Sequence, residues 1–138
     1  NVDDDRFLKP ENMIEEIQNY CRETKQKVPR EVGEIAICVF NSLGHSYKNA
    51  VANLEDIFEK EFKRINIFGG GCQNNLLNQV VSNVTGKEVL AGPVEATAIG
   101  NLVAQLISVG ELKDLGQAKQ VIKRSFDINI FKPNKGDV

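Results

Sequence analysis

The chain has 138 residues, 41% of them hydrophobic and 26% charged, with a formal net charge of −2. That suffices for one domain core but not two, and it offers no broad positive field for a nucleic acid. Apolar runs are only a handful of residues long, far short of the ~20 that cross a membrane, and three cysteines without a secretory leader pattern point to a reducing, cytoplasmic setting.

The chain opens on a polar stretch, Asn1 to Asp5. Its Asp3-Asp4-Asp5 run is read as a solvated terminus rather than a metal site. Pro10-Glu11 is expected to open a helix, with Met13, Ile14, Ile17, Tyr20 and Cys21 on one apolar stripe. Val28-Pro29 stops it. A long helix follows, its stripe running Val32, Ile35, Val39, Leu43, Tyr47, Ala50, Leu54, Ile57 and Phe58. The two helices form a hairpin that brings Cys21 and Cys38 to one level. Small core residues are the preferred reading of this pair over a disulfide.

At Arg64 the period changes. Arg64 to Phe68 reads as a short strand, Gly69-Gly70-Gly71 ends it, and Asn74 to Val84 is helical, with Gly86 as its C-terminal cap. Lys87 to Leu90 is a second strand and Gly92-Pro93 a turn. Glu95 starts a helix in which Ala96, Gly100 and Ala104 recur at every fourth position, a stripe expected to pack against a neighbour. Asp114 caps a last helix ending at Ser125, and Phe126 to Pro133 is an extended tail. The expected class is α/β, with two short strands and four or five helices.

The most informative local pattern is the strand, the three glycines and the helix start that follows. Glycines leave room for a ligand at the backbone, and a helix start offers free N–H groups and partial positive charge to a phosphate. A tight turn without a ligand has the same spacing, so both readings stand at this point. Two better-known glycine motifs fail. A dinucleotide fingerprint needs glycine where Asn74 stands. A phosphate loop ending at Gly86-Lys87 needs glycine where Val81 stands and Ser or Thr where Glu88 stands. His45 is the only histidine, which excludes a His-based metal cage. A Cys72–His45 nucleophile pair lacks a third, orienting group. No C-x-x-C pair exists for a structural zinc.

Beyond the glycine turn, nearly the whole chain resembles the FGGY carbohydrate kinase family. The resemblance rests on Phe7, Pro10 to Met13, Tyr20-Cys21, Val28-Pro29 and Ser42-Leu43, then on the run from Gly69 to Gln79. Ala91 to Asn101 is similar to the family's next signature, and Phe131 to Asn134 to the end of its conserved region. The Gly92-Pro93-Val94-Glu95-Ala96 run is closer to members that phosphorylate L-rhamnulose than to those acting on xylulose or glycerol.

The resemblance implies that residues 1–138 are part of the second, C-terminal domain of a two-domain enzyme. Each of its domains is ribonuclease-H-like, of the actin and hexokinase type, with ATP and sugar in the cleft between them. It implies transfer of the γ-phosphate of ATP to the 1-hydroxyl of L-rhamnulose, with Mg²⁺. Gly70 would approach the nucleotide phosphates or ribose, Asn74 the adenine side, and Gly69, Gly71 and Gln73 would shape the pocket. Cys72 stands where relatives carry a small residue.

The catalytic aspartate, the first phosphate loop and most sugar contacts would lie in an N-terminal domain outside this chain, which is therefore expected to be inactive alone. An unpaired strand edge and an uncovered apolar face are expected to drive self-association, in the first instance as a dimer. The alternatives are a sibling kinase for fuculose or xylulose and a non-catalytic module that binds a nucleotide or a protein through the same turn.

Overall fold

The computed structural model describes residues 1–134. Near its start Asp5–Phe7 form a 3-10 turn, capped by the Asp4 carboxylate, which accepts from the Arg6 amide. The Arg6 guanidinium reaches Glu16 at 3.3 Å and Glu23 at 2.9 Å and sits 5.0 Å from the centroid of the Tyr20 ring. Asp3 accepts from the Ser46 hydroxyl at 3.1 Å. The acidic run thus ties the terminus to the helices behind it.

Helix α1 spans Met13–Glu23 and starts later than Pro10-Glu11 suggests. The reason is Asn12, whose side chain accepts from the Ile14 and Glu15 amides and so sets the cap. Helix α2 spans Val32–Phe58, and Glu31 and Glu34 form a reciprocal box at its start. The predicted hairpin is present. Gln18 donates to the Pro29 carbonyl at 2.9 Å, and Cys21 and Cys38 face the same space between the two helices. Between the helices lies a cavity of about 270 Å³ lined by Ile17, Tyr20, Cys21, Cys38 and Val39.

The sheet has three strands: β1 Arg64–Ile67, β2 Glu88–Ala91 and β3 Asn129–Phe131, in the order β1-β2-β3. β1 and β2 are parallel, with Arg64 opposite Glu88 and Ile67 opposite Ala91. β3 runs antiparallel, with Val89 opposite Phe131. This corrects the expected two strands: part of the tail is a strand. Three residues are too few to show a period of two. Their placement comes instead from distant partners. Gln79 donates to the Lys132 carbonyl at 2.8 Å, and the Asn134 amide donates to Asn83 at 3.0 Å. β3 also covers the outer edge of β2, so β2 is the central strand and the sheet ends on β1 at one side and β3 at the other.

Helix α3, Asn75–Thr85, connects the parallel strands and lies between the sheet and α2. The helices α2 and α3 meet at Gly44, where a Cβ would sit 3.3 Å from Val84 and 3.4 Å from Val80. Val81 and Val89 are fully buried at the centre. Ser82 is buried beside them, its hydroxyl 2.7 Å from the Lys87 carbonyl and 3.2 Å from that of Phe131, so one side chain ties α3 to the ends of both strands. Lys87, at the amino end of β2, pairs with Glu55 of α2 at 2.6 Å.

Helices α4, Ala96–Ser108, and α5, Leu115–Ser125, bury Ile99 and Ala118. They face the other side of the sheet across a groove of about 910 Å³ lined by Asn66, Phe68, Leu90, Ile99, Ile122 and Ile130. The small-residue stripe of α4 does not pack as expected. Gly100 and Ala104 are exposed, and among the described residues nothing lies within 4 Å of a Cβ placed on Gly100. No helix among the described residues is long and apolar enough to cross a membrane.

Candidate functional site

β1 and β2 are parallel neighbours, and each runs into a glycine-bearing loop at its carboxyl end. Open α/β sheets take ligands in the crevice at that end. After Ile67 the chain stays extended through Phe68 (φ −118°, ψ 168°) and then reverses at Gly69. Gly69 has φ +72°, a left-handed conformation that favours glycine. Of the three glycines it is the one held there.

From Gly69 to Gln73 the backbone winds into a 3-10 turn. Gly70 serves space rather than conformation. It is exposed, and nothing lies within 4 Å of a Cβ placed on it. A Cβ on Gly71 would touch Ile67 at 3.7 Å, an ordinary contact. Cys72 points inward and is 4% exposed, plugging the turn from beneath. Gln73 is exposed.

Asn74 ends the turn and caps α3, its Oδ1 accepting from the Leu77 amide at 3.0 Å. That oxygen is therefore committed to the helix, which leaves the side-chain amide nitrogen as the end of Asn74 that α3 does not use. The structure thus places Gly69, Gly70, Gly71, Gln73 and Asn74 on one continuous turn at the amino end of an 11-residue helix. The first N–H groups of a helix have no partner within it, and their dipoles favour an anion.

The second loop is fastened beside the first. The Gly92 amide donates to the Ile67 carbonyl at 2.9 Å. Gly92 has φ +120° and is buried with Pro93, and the peptide between them is cis. The groove beneath α4 opens next to both loops, since Phe68, Gly92 and Pro93 line it. Lys119 and Lys123 add positive charge there, whereas Arg64 is neutralised by Glu88 at 2.6 Å. Sequence reasoning took Gly92-Pro93 as a plain turn. The available sign was a Gly-Pro step immediately after a strand, at the same level as the glycine turn.

The sequence also missed Asn78. This residue is fully buried behind the turn, and its Nδ2 donates to the Cys72 carbonyl at 2.9 Å. A lone asparagine on the inward stripe of α3 was the one sign available.

The remaining candidates do not assemble. His45 is exposed on α2 and Cys72 is buried, and among the described residues no hydrogen bond joins them. Cys21 and Cys38 are free thiols. Burial and the neighbouring Cys21 push the Cys38 thiol up. At the far end of the sheet, Lys87 and the Phe62 amide hold the Glu55 carboxyl below the usual carboxylate range. That cluster fastens strand to helix, well away from the glycine turn in the register of β2.

Residues 3–109 match the FGGY family of carbohydrate kinases, C-terminal domain. The chain is 59% identical over 131 residues to the rhamnulokinase of Halalkalibacterium halodurans, covering 95% of this chain and 28% of that protein. It is 54% identical over 131 residues to the rhamnulokinase of Oceanobacillus iheyensis, again 95% and 28%. To the rhamnulokinase of Bacillus subtilis it is 50% identical over 137 residues, 99% of this chain and 28% of the relative. The chain therefore spans just over a quarter of the length of these curated relatives.

Proposed function

The chain belongs to the FGGY family of carbohydrate kinases, and from that premise we propose that it forms the nucleotide side of an L-rhamnulose kinase. The observation that carries the reading is the open glycine turn at Gly69–Gln73, set at the carboxyl end of β1 and the start of α3. The enzyme moves the γ-phosphate of ATP to the 1-hydroxyl of L-rhamnulose. Gly70 gives the nucleotide phosphates or ribose access to the backbone, the Asn74 amide meets the adenine side, and Gly69, Gly71 and Gln73 shape the pocket. Mg²⁺ rides on the phosphates and is assigned to no side chain here. A cytoplasmic setting fits a soluble nucleotide substrate. The names of the relatives favour L-rhamnulose over fuculose or xylulose.

Three glycines, Gln73 and Asn74 include no group able to take a proton from a sugar hydroxyl. A general base is worth roughly 10²–10⁴-fold. The 138-residue chain by itself is therefore silent as a kinase, while a parent carrying the base is active.

The test is an NMR titration of the chain with ADP, alongside a coupled assay of sugar-dependent ADP release. Amide shifts centred on Gly69 to Asn74 support the reading. An unchanged spectrum at millimolar ADP overturns it. Turnover by the chain alone at the rate of an intact kinase overturns the assignment of the base elsewhere. A parent that prefers fuculose or xylulose overturns the sugar.

A further inference from the structure

Asn78 sits on the first turn of α3, and its side chain is fully buried. Its orientation is fixed by chemistry. The Cys72 carbonyl, 2.9 Å away, accepts only from a donor, so Nδ2 faces the carbonyl and Oδ1 faces away. Among the described residues Oδ1 is the one buried side-chain polar atom without a partner. A leucine would fill a similar volume and leave no such oxygen. The asparagine is worth its unpaired atom because without it the carbonyl of the buried Cys72 would itself lack a donor.

Three consecutive bonds thus define the turn. The Gly71 carbonyl accepts from the Asn74 amide at 3.2 Å, the Cys72 carbonyl from Asn78, and Asn74 Oδ1 from the Leu77 amide. The middle one is the only bond reaching in from the buried core. A peptide unit is planar and trans, so its C=O and N–H point in opposite directions. Pinning the Cys72 carbonyl toward α3 turns the Gln73 N–H back toward the glycines.

We propose that Asn78 is a positioning residue for nucleotide binding: it holds the Cys72–Gln73 peptide in the one orientation that presents the glycine turn to its ligand. The proposal rests on the nucleotide reading given above. Asn78 touches no ligand itself. It acts through the backbone.

The experiment compares wild type, Asn78→Ser and Asn78→Leu with Val81→Ala, a fully buried control further along the same helix. Serine is too short to reach the carbonyl but small enough to spare the fold if leucine does not. NMR titration with ADP and amide exchange of Gly70 to Gln73 are read well below each melting temperature. Loss of the bond is expected to weaken ADP about tenfold and to speed exchange in the turn. Val81→Ala is expected to lower the melting temperature yet keep the affinity within about twofold. A wild-type chain that ignores ADP overturns the nucleotide reading, and this role with it. A wild type that binds, with Asn78→Ser binding equally well, overturns the role of Asn78 alone. Equal losses in Asn78→Ser and Val81→Ala also overturn it, because general destabilisation would then account for the effect.

Discussion

The Cβ that Gly92 lacks would lie 2.8 Å from the carbonyl oxygen of Asp127. The loop leaving β2 and the segment entering β3 therefore touch backbone to backbone, and any side chain at residue 92 must force them apart. Gly92 also holds φ +120°. Strain of this kind costs on the order of 1–3 kcal/mol before the contact is counted. Gly92→Ala is expected to lose more stability in urea than Gly86→Ala, a left-handed glycine with nothing within 4 Å of its missing Cβ. Equal losses would mean that the approach of Asp127 has no energetic weight.

Gly70 gives the opposite case. It is exposed, its φ is not left-handed, and the space where a Cβ would sit is open. Gly70→Gln should therefore leave stability within about 0.5 kcal/mol. The longer side chain fills the space assigned to the nucleotide, so the ADP-induced shifts should disappear. A variant that folds normally and binds as well as wild type removes Gly70 from the site.

Glu34 accepts from Lys27 at 2.7 Å and from the Arg30 amide at 2.9 Å. Lys27 first, then the backbone amides, hold its carboxyl down to about 2. A folded value below the unfolded one stabilises the protein above the ordinary carboxylate range, and that contribution fades as pH falls toward the folded value. The stability gap between wild type and Glu34→Gln should be full at pH 7 and shrink steadily between about 4.5 and about 2. Because the group lies at the surface, added salt should narrow the gap as well. Urea titrations across that pH window give the answer, and a gap independent of pH contradicts it.

Lys87 and Glu55 join the start of β2 to the end of α2, and only 13% of the Lys87 side chain is exposed. Glu55 also accepts from the Phe62 amide at 2.6 Å, fixing the approach to β1. Lys87→Met and Glu55→Gln should each lower the melting temperature, and the double variant should lose less than their sum. Strict additivity would show that the pair does not act as one unit. The carboxyl of Glu55 is depressed, so its share of stability should vanish on acidification rather than on raising the pH.

The free edge of β1 and the exposed Phe68 and Ile130 leave the chain with unpaired backbone groups and apolar surface on one side. Such edges pair with another chain. The 138-residue chain should self-associate, with a light-scattering mass that rises from one chain toward two as concentration increases. A single-chain mass at high concentration would count against this.

The repeating elements of this protein were legible in the sequence because their causes are local. A 3.6-residue stripe drew α2 from Val32 to Phe58, Asp114 announced α5, and Gly69 marked the end of β1. The glycine turn was legible for the same reason, since its residues are neighbours in the chain. The rest depends on partners far apart in sequence. β3 is a strand because β2 offers it an edge, and no pattern in three residues could say so. Gly92 is irreplaceable because of Asp127, and Asn78 matters because of the carbonyl of Cys72 beneath the turn. The stripe Ala96, Gly100 and Ala104 looked like a packing face, and whether a neighbour stands against it is a property of the assembled fold, not of the helix. Periodicity determines which side of an element is apolar, whereas contact, closeness and burial are decided only when distant segments meet.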